Sequence, residues 1–200
     1  MVLPTVVDTA IYRPHKDPGQ DDAPPVIGWI GSPSTWAYVR PILPLLEEVA
    51  RTTGARVRVV GAGKIAVSEM FEGLEIVEWA QESEVAEVQA MDIGLMPLPD
   101  EPWARGKCGY KLIQYMACEL PVIASPVGVN SEIVVPGETG ILATGPDQWK
   151  AALEQLVGDK VMRQRMGMAG RQRAEDHYSL KVHAPRLVEI LTSLVGASAR

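Results

Sequence analysis

Positive charge is scarce in this 200-residue chain: 19 Lys and Arg stand against 25 Asp and Glu, a formal net charge of −6. That balance disfavours a general nucleic-acid-binding role, which needs a basic face to meet phosphates. Cysteine is nearly absent. Cys108 and Cys118 have no ladder of partners, which fits a reducing compartment rather than a disulfide framework. No histidine lies near them, so one buried thiol, one loop thiol and no metal site are expected. No apolar run approaches the roughly 20 residues needed to span a bilayer. The N-terminus lacks a basic region followed by an apolar one, so the expectation is no secretory signal and a cytoplasmic location. His15, His177 and His183 are isolated and read as structural or solvated groups. Internal repeats and low-complexity tracts are missing as well.

What is present is a core. At 46% hydrophobic and 22% charged, the chain suits one α/β domain. Residues 1–24 hold a short apolar stretch and then the proline- and glycine-rich run HKDPGQDDAPP, which reads as a linker rather than core. Residues 25–200 form the domain. Apolar runs at 26–30, 57–60, 74–79, 93–98, 122–124 and 140–143 are short, rich in Val and Ile and poorly alternating, as strands buried on both faces should be. Helical spacing falls between them, at 35–52, 84–91, 111–118, 148–156, 160–174 and 180–195. Pro41 and Pro44 predict a late start or a kink in the first of these helices, and Ser83 an N-cap for the second. Alternation of this kind predicts a Rossmann-like parallel sheet of about six strands flanked by helices. Ligands of such sheets bind beyond the carboxyl ends of the strands.

The few cations are gathered there. Between Ile65 and Trp149 the only basic residues are Arg105, Lys107 and Lys111, all in the loop after run 93–98 or at the start of the next helix. Gly106 and Gly109 lie among them and allow close backbone approach. A helix N-terminus adds free N–H groups, so the combination predicts an anion site, phosphate above all. A second loop, Gly28-Trp29-Ile30-Gly31-Ser32-Pro33-Ser34-Thr35, follows the first strand. Gly31 permits a tight turn, and Ser34 or Thr35 can cap the next helix or meet a phosphate oxygen. A third loop, Gly61-Ala62-Gly63-Lys64-Ile65-Ala66, matches G-x-G-x-x-A after a strand, with Glu78 ending the next one. That is the pattern of a dinucleotide site in an NAD-dependent oxidoreductase. Against it, the motif follows the second strand and leaves little room for a crossover helix.

With these loops in view, the chain resembles the C-terminal, donor-binding half of a GT-B-fold glycosyltransferase of the retaining group 1, or family 4. Val6-Val7-Asp8-Thr9 with Tyr12-Arg13-Pro14 is similar to the family's "GVDTxxFRP" crossing between domains. Residues 109–142, GYKLIQYMACELPVIASPVGVNSEIVVPGETGIL, resemble "K-x-x-E-Y-M-A-x-G-x-P-V-V-A-S…G…E-I-V…G…G-x-L", and His177-Tyr178-Ser179 resembles the "YSW" entry to the last helix. The resemblance implies that Lys107, Lys111, Gly109, Gly31 and Ser34 hold the diphosphate of a UDP-, GDP- or ADP-sugar. It places Gln114 on the ribose, Trp79 and Ala80 at the base, and Glu132 and Gly106 on the sugar side. No metal or other cofactor is implied, and catalysis would be electrostatic, with no general base in this half.

Gly106 and Gln114 stand where the family has a glutamate pair, and the family's diphosphate arginine has no clear counterpart. Glu119 replaces the family's glycine before the next strand, so the loop after the helical run 111–118 is expected to differ from the family's. The resemblance also implies an N-terminal acceptor-binding domain that this chain does not contain, no turnover without it, and a whole enzyme in polysaccharide biosynthesis that associates peripherally with a membrane. The competing classes are the oxidoreductase using Gly61, Gly63 and Glu78, and a non-catalytic partner-binding module.

Overall fold

Six short strands pair only in parallel, in the order β3-β2-β1-β4-β5-β6, in a computed structural model that describes residues 2–15 and 23–197. In chain order the elements are β1 (Val26–Ile30), α1 (Pro33–Trp36), α2 (Leu43–Thr53), β2 (Arg56–Val60), β3 (Leu74–Val77), α3 (Glu84–Gln89) and β4 (Ile93–Met96). There follow α4 (Pro102–Arg105), α5 (Tyr110–Ala117), β5 (Val122–Ala124), α6 (Asn130–Ile133), β6 (Gly140–Leu142), α7 (Gly145–Gly158), α8 (Lys160–His177) and α9 (Leu180–Ala197). Strands β1, β4 and β5 are buried at every residue. Their Val and Ile do not alternate with polar residues because both faces of the sheet are covered. Ile27, Trp29, Ile93, Leu95 and Ile123 pack with α2 and α7 on one face, while Ile30, Val60, Met96 and Val122 pack with α5 on the other. The expected Rossmann-like sheet is therefore the observed one.

Local chemistry explains the breaks. The expected helix over 35–52 is interrupted: Pro41 sits in a 3-10 turn, Arg40–Ile42, and Pro44 in the first turn of α2. Proline is accepted there because the N–H it lacks has no helical partner in any case. Ser83 does precede α3, but its hydroxyl donates back to the Ala80 carbonyl at 3.4 Å instead of capping the helix.

The first residues need a larger correction. Part of the proposed linker, 16–22, lies outside the described residues, but the stretch before it is docked. Val7 and Tyr12 are 2% and 8% exposed and belong to the core. Val7 exchanges backbone hydrogen bonds with Tyr178 and Leu180 at 2.9 Å each, and Arg171 donates to the carbonyls of Thr9 and Tyr12. Two side chains of a segment with few apolar residues become core because Val7 is tied to the junction of α8 and α9, and Tyr12 is held by Arg171, Glu84 and Gln114.

Glu119 also departs from expectation, in the opposite sense. Its φ is +62°, the left-handed conformation of a helix C-terminus. Glu119 N donates to Met116 O and Leu120 N to Tyr115 O, both at 3.0 Å, the Schellman pattern that usually carries glycine. The glycine loop is kept, with a strained glutamate in it.

Strands β1 and β4 pair only at Ile27–Ile93 and Gly28–Gly94 and then part. The buried hydroxyl of Tyr115 spans the gap, accepting from Ile30 N at 3.0 Å and donating to Leu95 O at 3.3 Å. Burial pushes its pKa well above the usual phenol range, so it stays a neutral donor. Gly94 makes room: a Cβ there would stand 2.3 Å from the Tyr115 ring. Tyr115→Phe is expected to orphan the Ile30 N–H and cost about 1–3 kcal/mol in urea denaturation. Glu119→Gly should raise stability by about 1 kcal/mol in the same assay, by relieving the left-handed strain.

Candidate anion-binding crevice

Because β1 and β4 part, and their connections run to opposite faces of the sheet, a crevice opens over their carboxyl ends. The β1 side supplies Gly31 and α1. A Cβ on Gly31 would stand 2.3 Å from the Trp29 indole, so the loop can turn this tightly only with glycine. Thr35 Oγ1 accepts from Ser32 N at 3.1 Å and donates to Ser32 O at 3.0 Å, and the Ser34 hydroxyl lies 3.0 Å from that of Ser32. Ser32 is thus the N-cap residue of α1. Ser34 stays exposed at the mouth of the crevice.

The β4 side brings the cations. Arg105 is held by Asp100, Nε to Oδ1 at 2.6 Å, an ion pair exposed to water. Lys107 and Lys111 have no carboxylate partner among the described residues. Lys107 Nζ lies 5.3 Å from the centre of the Tyr38 ring, and Lys111 Nζ 5.8 Å from that of Trp29. Both lysines thus reach across the crevice to the β1 side, where the ring faces attract them. Burial, and after it the charge of Lys107, lowers the Lys111 pKa below the ordinary lysine value. Two cations that repel each other, one of them partly stripped of water, leave an electrostatic demand for an anion.

Gly109 starts α5 at φ +69°, and a Cβ there would meet Ile133 Cδ1 at 2.2 Å. Both the backbone and the contact with α6 require glycine. Glu132, beside Ile133 on α6, is exposed, and its carbonyl accepts from Arg173. Gly106 is exposed, with nothing nearer than 3.6 Å to a Cβ, so no packing demand explains its small size.

On the far side, Gly61 has φ +79°, and a Cβ there would stand 2.4 Å from the Gly31 carbonyl oxygen. Its glycine is needed to seat the β2 loop on the β1 loop. After Gly63 comes a 3-10 turn, Lys64–Glu69, rather than an α-helix. The loop therefore has no helix N-terminus to offer a dinucleotide pyrophosphate, and Glu78 is exposed beyond β3. Trp79 and Ala80 follow it, and Trp79 Cβ lies 3.1 Å from the Cβ position of Gly61. Gln114 is buried at 3% exposure, and its Nε2 donates to Tyr12 Oη at 2.9 Å and Glu84 Oε1 at 2.7 Å. Tyr12 stands in the sequence only within the domain-crossing motif and Glu84 only at the start of a helical run, and neither reads there as a site residue.

Tyr38 also lines a cavity of about 760 Å³, together with Pro41, Leu98, Val127, Pro146 and Trp149, among others. Cys108 is exposed and Cys118 buried. Burial pushes the Cys118 thiol up to about 12. Among the described residues there is no cluster of three or more His, Cys, Asp or Glu that could hold a metal, and no helix is long and apolar enough to cross a membrane.

Comparison with known proteins agrees with this architecture. Over 92 residues the chain is 38% identical to a D-inositol 3-phosphate glycosyltransferase of Corynebacterium diphtheriae, a match spanning 45% of this chain and 20% of that protein. The sucrose-phosphate synthase of Thermosynechococcus elongatus superposes with a TM-score of 0.83 at 19% identity, over 98% of this chain and 53% of the other. Anabaena HepE in complex with UDP and glucose superposes with a TM-score of 0.78 at 16% identity, over 96% and 56%. These two structures share the fold. The family described as glycosyl transferases group 1 matches residues 24–159, more than half of the chain, and the protein belongs to that family.

Proposed function

We propose that this chain is the donor-binding half of a retaining glycosyltransferase, and that the crevice over β1 and β4 takes the diphosphate of a UDP-, GDP- or ADP-sugar. The observation that carries the reading is the unneutralised pair Lys107 and Lys111 at the switch point of the sheet, with Lys111 at a lowered pKa. Gly109 at the head of α5, Gly31 and Ser34 complete the diphosphate cradle. Trp79 and Ala80 stand on the base side, Gln114 on the ribose side, and Gly106 and Glu132 on the sugar side. As the sugar–phosphate bond breaks, negative charge grows on the leaving diphosphate, and these lysines and N–H groups are aimed to stabilise it. The acceptor attacks from the face the leaving group vacates, so the configuration is retained, and no metal or general base in this half takes part. The UDP held by the Anabaena protein supports a nucleotide donor.

An N-terminal domain would bring the acceptor, and this half alone would bind donor without turnover. The solved relatives extend well beyond this fold. An exposed apolar row on α9 (Leu180, Leu187, Val188, Leu191 and Leu194) supports a further docking partner. The whole enzyme would work in the cytoplasm in polysaccharide biosynthesis, in peripheral contact with a membrane.

Calorimetric titration with UDP, GDP and ADP is expected to find one diphosphate that binds, and Lys111→Ala to weaken it by about tenfold or more, as for loss of a charge-assisted contact. Silence from all three, or an unchanged affinity in the variant, would count against the reading. Lys111→Met is expected to stabilise the ligand-free protein by about 0.5–2 kcal/mol in denaturant melts at pH 7, by removing a poorly hydrated charge. The sign follows from the lowered pKa: below it the wild type carries the cost of the charged form. The difference between the two proteins should therefore shrink as pH rises through that pKa.

A further inference from the structure

We propose that Glu84 is the group that accepts the ribose hydroxyls of a bound nucleotide, and that Gln114 is a positioning residue that holds the Glu84 carboxylate in place. The inference rests on the donor-site reading above. An amide nitrogen has two hydrogens to give. Gln114 has committed both, to Tyr12 Oη at 2.9 Å and to Glu84 Oε1 at 2.7 Å. Tyr12 also donates its hydroxyl to Glu84 Oε1. Burial first, and then that bond to Glu84, raise the Tyr12 pKa, so it remains a donor. The inner oxygen of the carboxylate is thus locked by two buried side chains.

The outer oxygen is different. Among the described residues Glu84 Oε2 accepts only from Trp79 Nε1, at 2.5 Å, and Trp79 is 49% exposed. A carboxylate has about four acceptor positions, and the described residues take three of them. A vicinal diol can fill the free position and displace the indole N–H, exchanging one donor for another. The Trp79 ring is then released toward the base side. Placement agrees with this. Lys111 and Gln114 are three residues apart on α5, so they share a face about 5 Å apart. That puts the carboxylate held by Gln114 one helical turn from the diphosphate cation. In sheets of this order, an acidic residue commonly takes a ribose hydroxyl.

Charge explains the residue at 114. Two carboxylates at 2.7 Å would repel strongly. A glutamine beside Glu84 keeps one negative charge at the site while moving it from α5 to α3.

The test is calorimetric titration of the full chain with UDP, GDP and ADP and with their 2′-deoxy counterparts. It compares the wild type, Glu84→Gln, and the exchange Glu84→Gln with Gln114→Glu. The wild type should prefer the ribonucleotide by about tenfold or more, the worth of a hydrogen bond to a charged acceptor. Glu84→Gln should reduce that preference to about twofold or less, while the 2′-deoxy nucleotide binds as before. The exchange, which returns one carboxylate to the pair, should restore it. A Glu84→Gln protein that keeps the wild-type preference overturns the inference and leaves the donor reading standing. So does an exchange variant that binds both nucleotides equally, and that variant decides alone if Glu84→Gln does not fold. A wild type that binds none of the six nucleotides overturns the donor reading, and this inference with it.

Discussion

The crevice depends on one hydroxyl. Strands β1 and β4 stop pairing after Gly28 and Gly94, and the Tyr115 hydroxyl takes over, accepting from Ile30 N and donating to Leu95 O. Without it, two backbone groups at the heart of a parallel sheet would be buried and unpaired. With it, the strands can diverge and still be satisfied. The gap that results is where the connections to α1 and α5 leave for opposite faces. Gly94 exists to let that ring lie between the strands, and α5, which carries the ring, also carries Lys111 and Gln114. The bond that keeps the crevice open thus places the side chains that line it.

Electrostatics then act on what topology made. The chain is acidic overall, yet at this point two lysines face aromatic rings instead of carboxylates. A ring face attracts a cation but does not neutralise it. Lys111 therefore keeps a charge that burial makes costly, and an anion in the crevice removes that cost. The neighbouring cation is spent differently: Arg105 is held in water by Asp100, and its loop is pressed close by Gly128, where a Cβ would stand 2.4 Å from the Arg105 carbonyl. On the other side, Glu84 gathers Tyr12, Gln114 and Trp79, tying the docked N-terminal segment, α5 and the loop after β3 to one carboxylate.

Much of this was legible in residue order because the relevant signals are short-range. Val26–Ile30 and Val122–Ala124 were recognisable as strands from unbroken Val and Ile, since a strand covered on both faces has no polar phase. Pro41 and Pro44 announced the broken helix through their missing N–H groups. Lys107, Gly109 and Lys111 stood out because a cluster within five positions needs no knowledge of the fold. Glu119 was misleading for the same reason: its identity suggested a different loop, but the carbonyls of Tyr115 and Met116 impose the left-handed turn whatever side chain occupies it.

The contacts between distant segments followed another rule. Tyr12 meets Glu84 across 72 positions, and Glu84 meets Gln114 across 30. Nothing in the local pattern of residues 1–24 marks Val7 and Tyr12 as core, because their burial is conferred by Arg171, Tyr178 and Leu180 at the other end of the chain. By itself, then, the order of residues determined the parallel sheet, the glycine turns and the cation-rich helix start, since each rests on backbone preference, hydrophobic period or charge within a few positions. Only the tertiary structure decided which cations stay unpaired, which carboxylate faces Gln114 and whether the first segment is linker or core. Those outcomes depend on side chains brought within 3 Å of one another by strand order, a distance that has no trace in spacing along the chain.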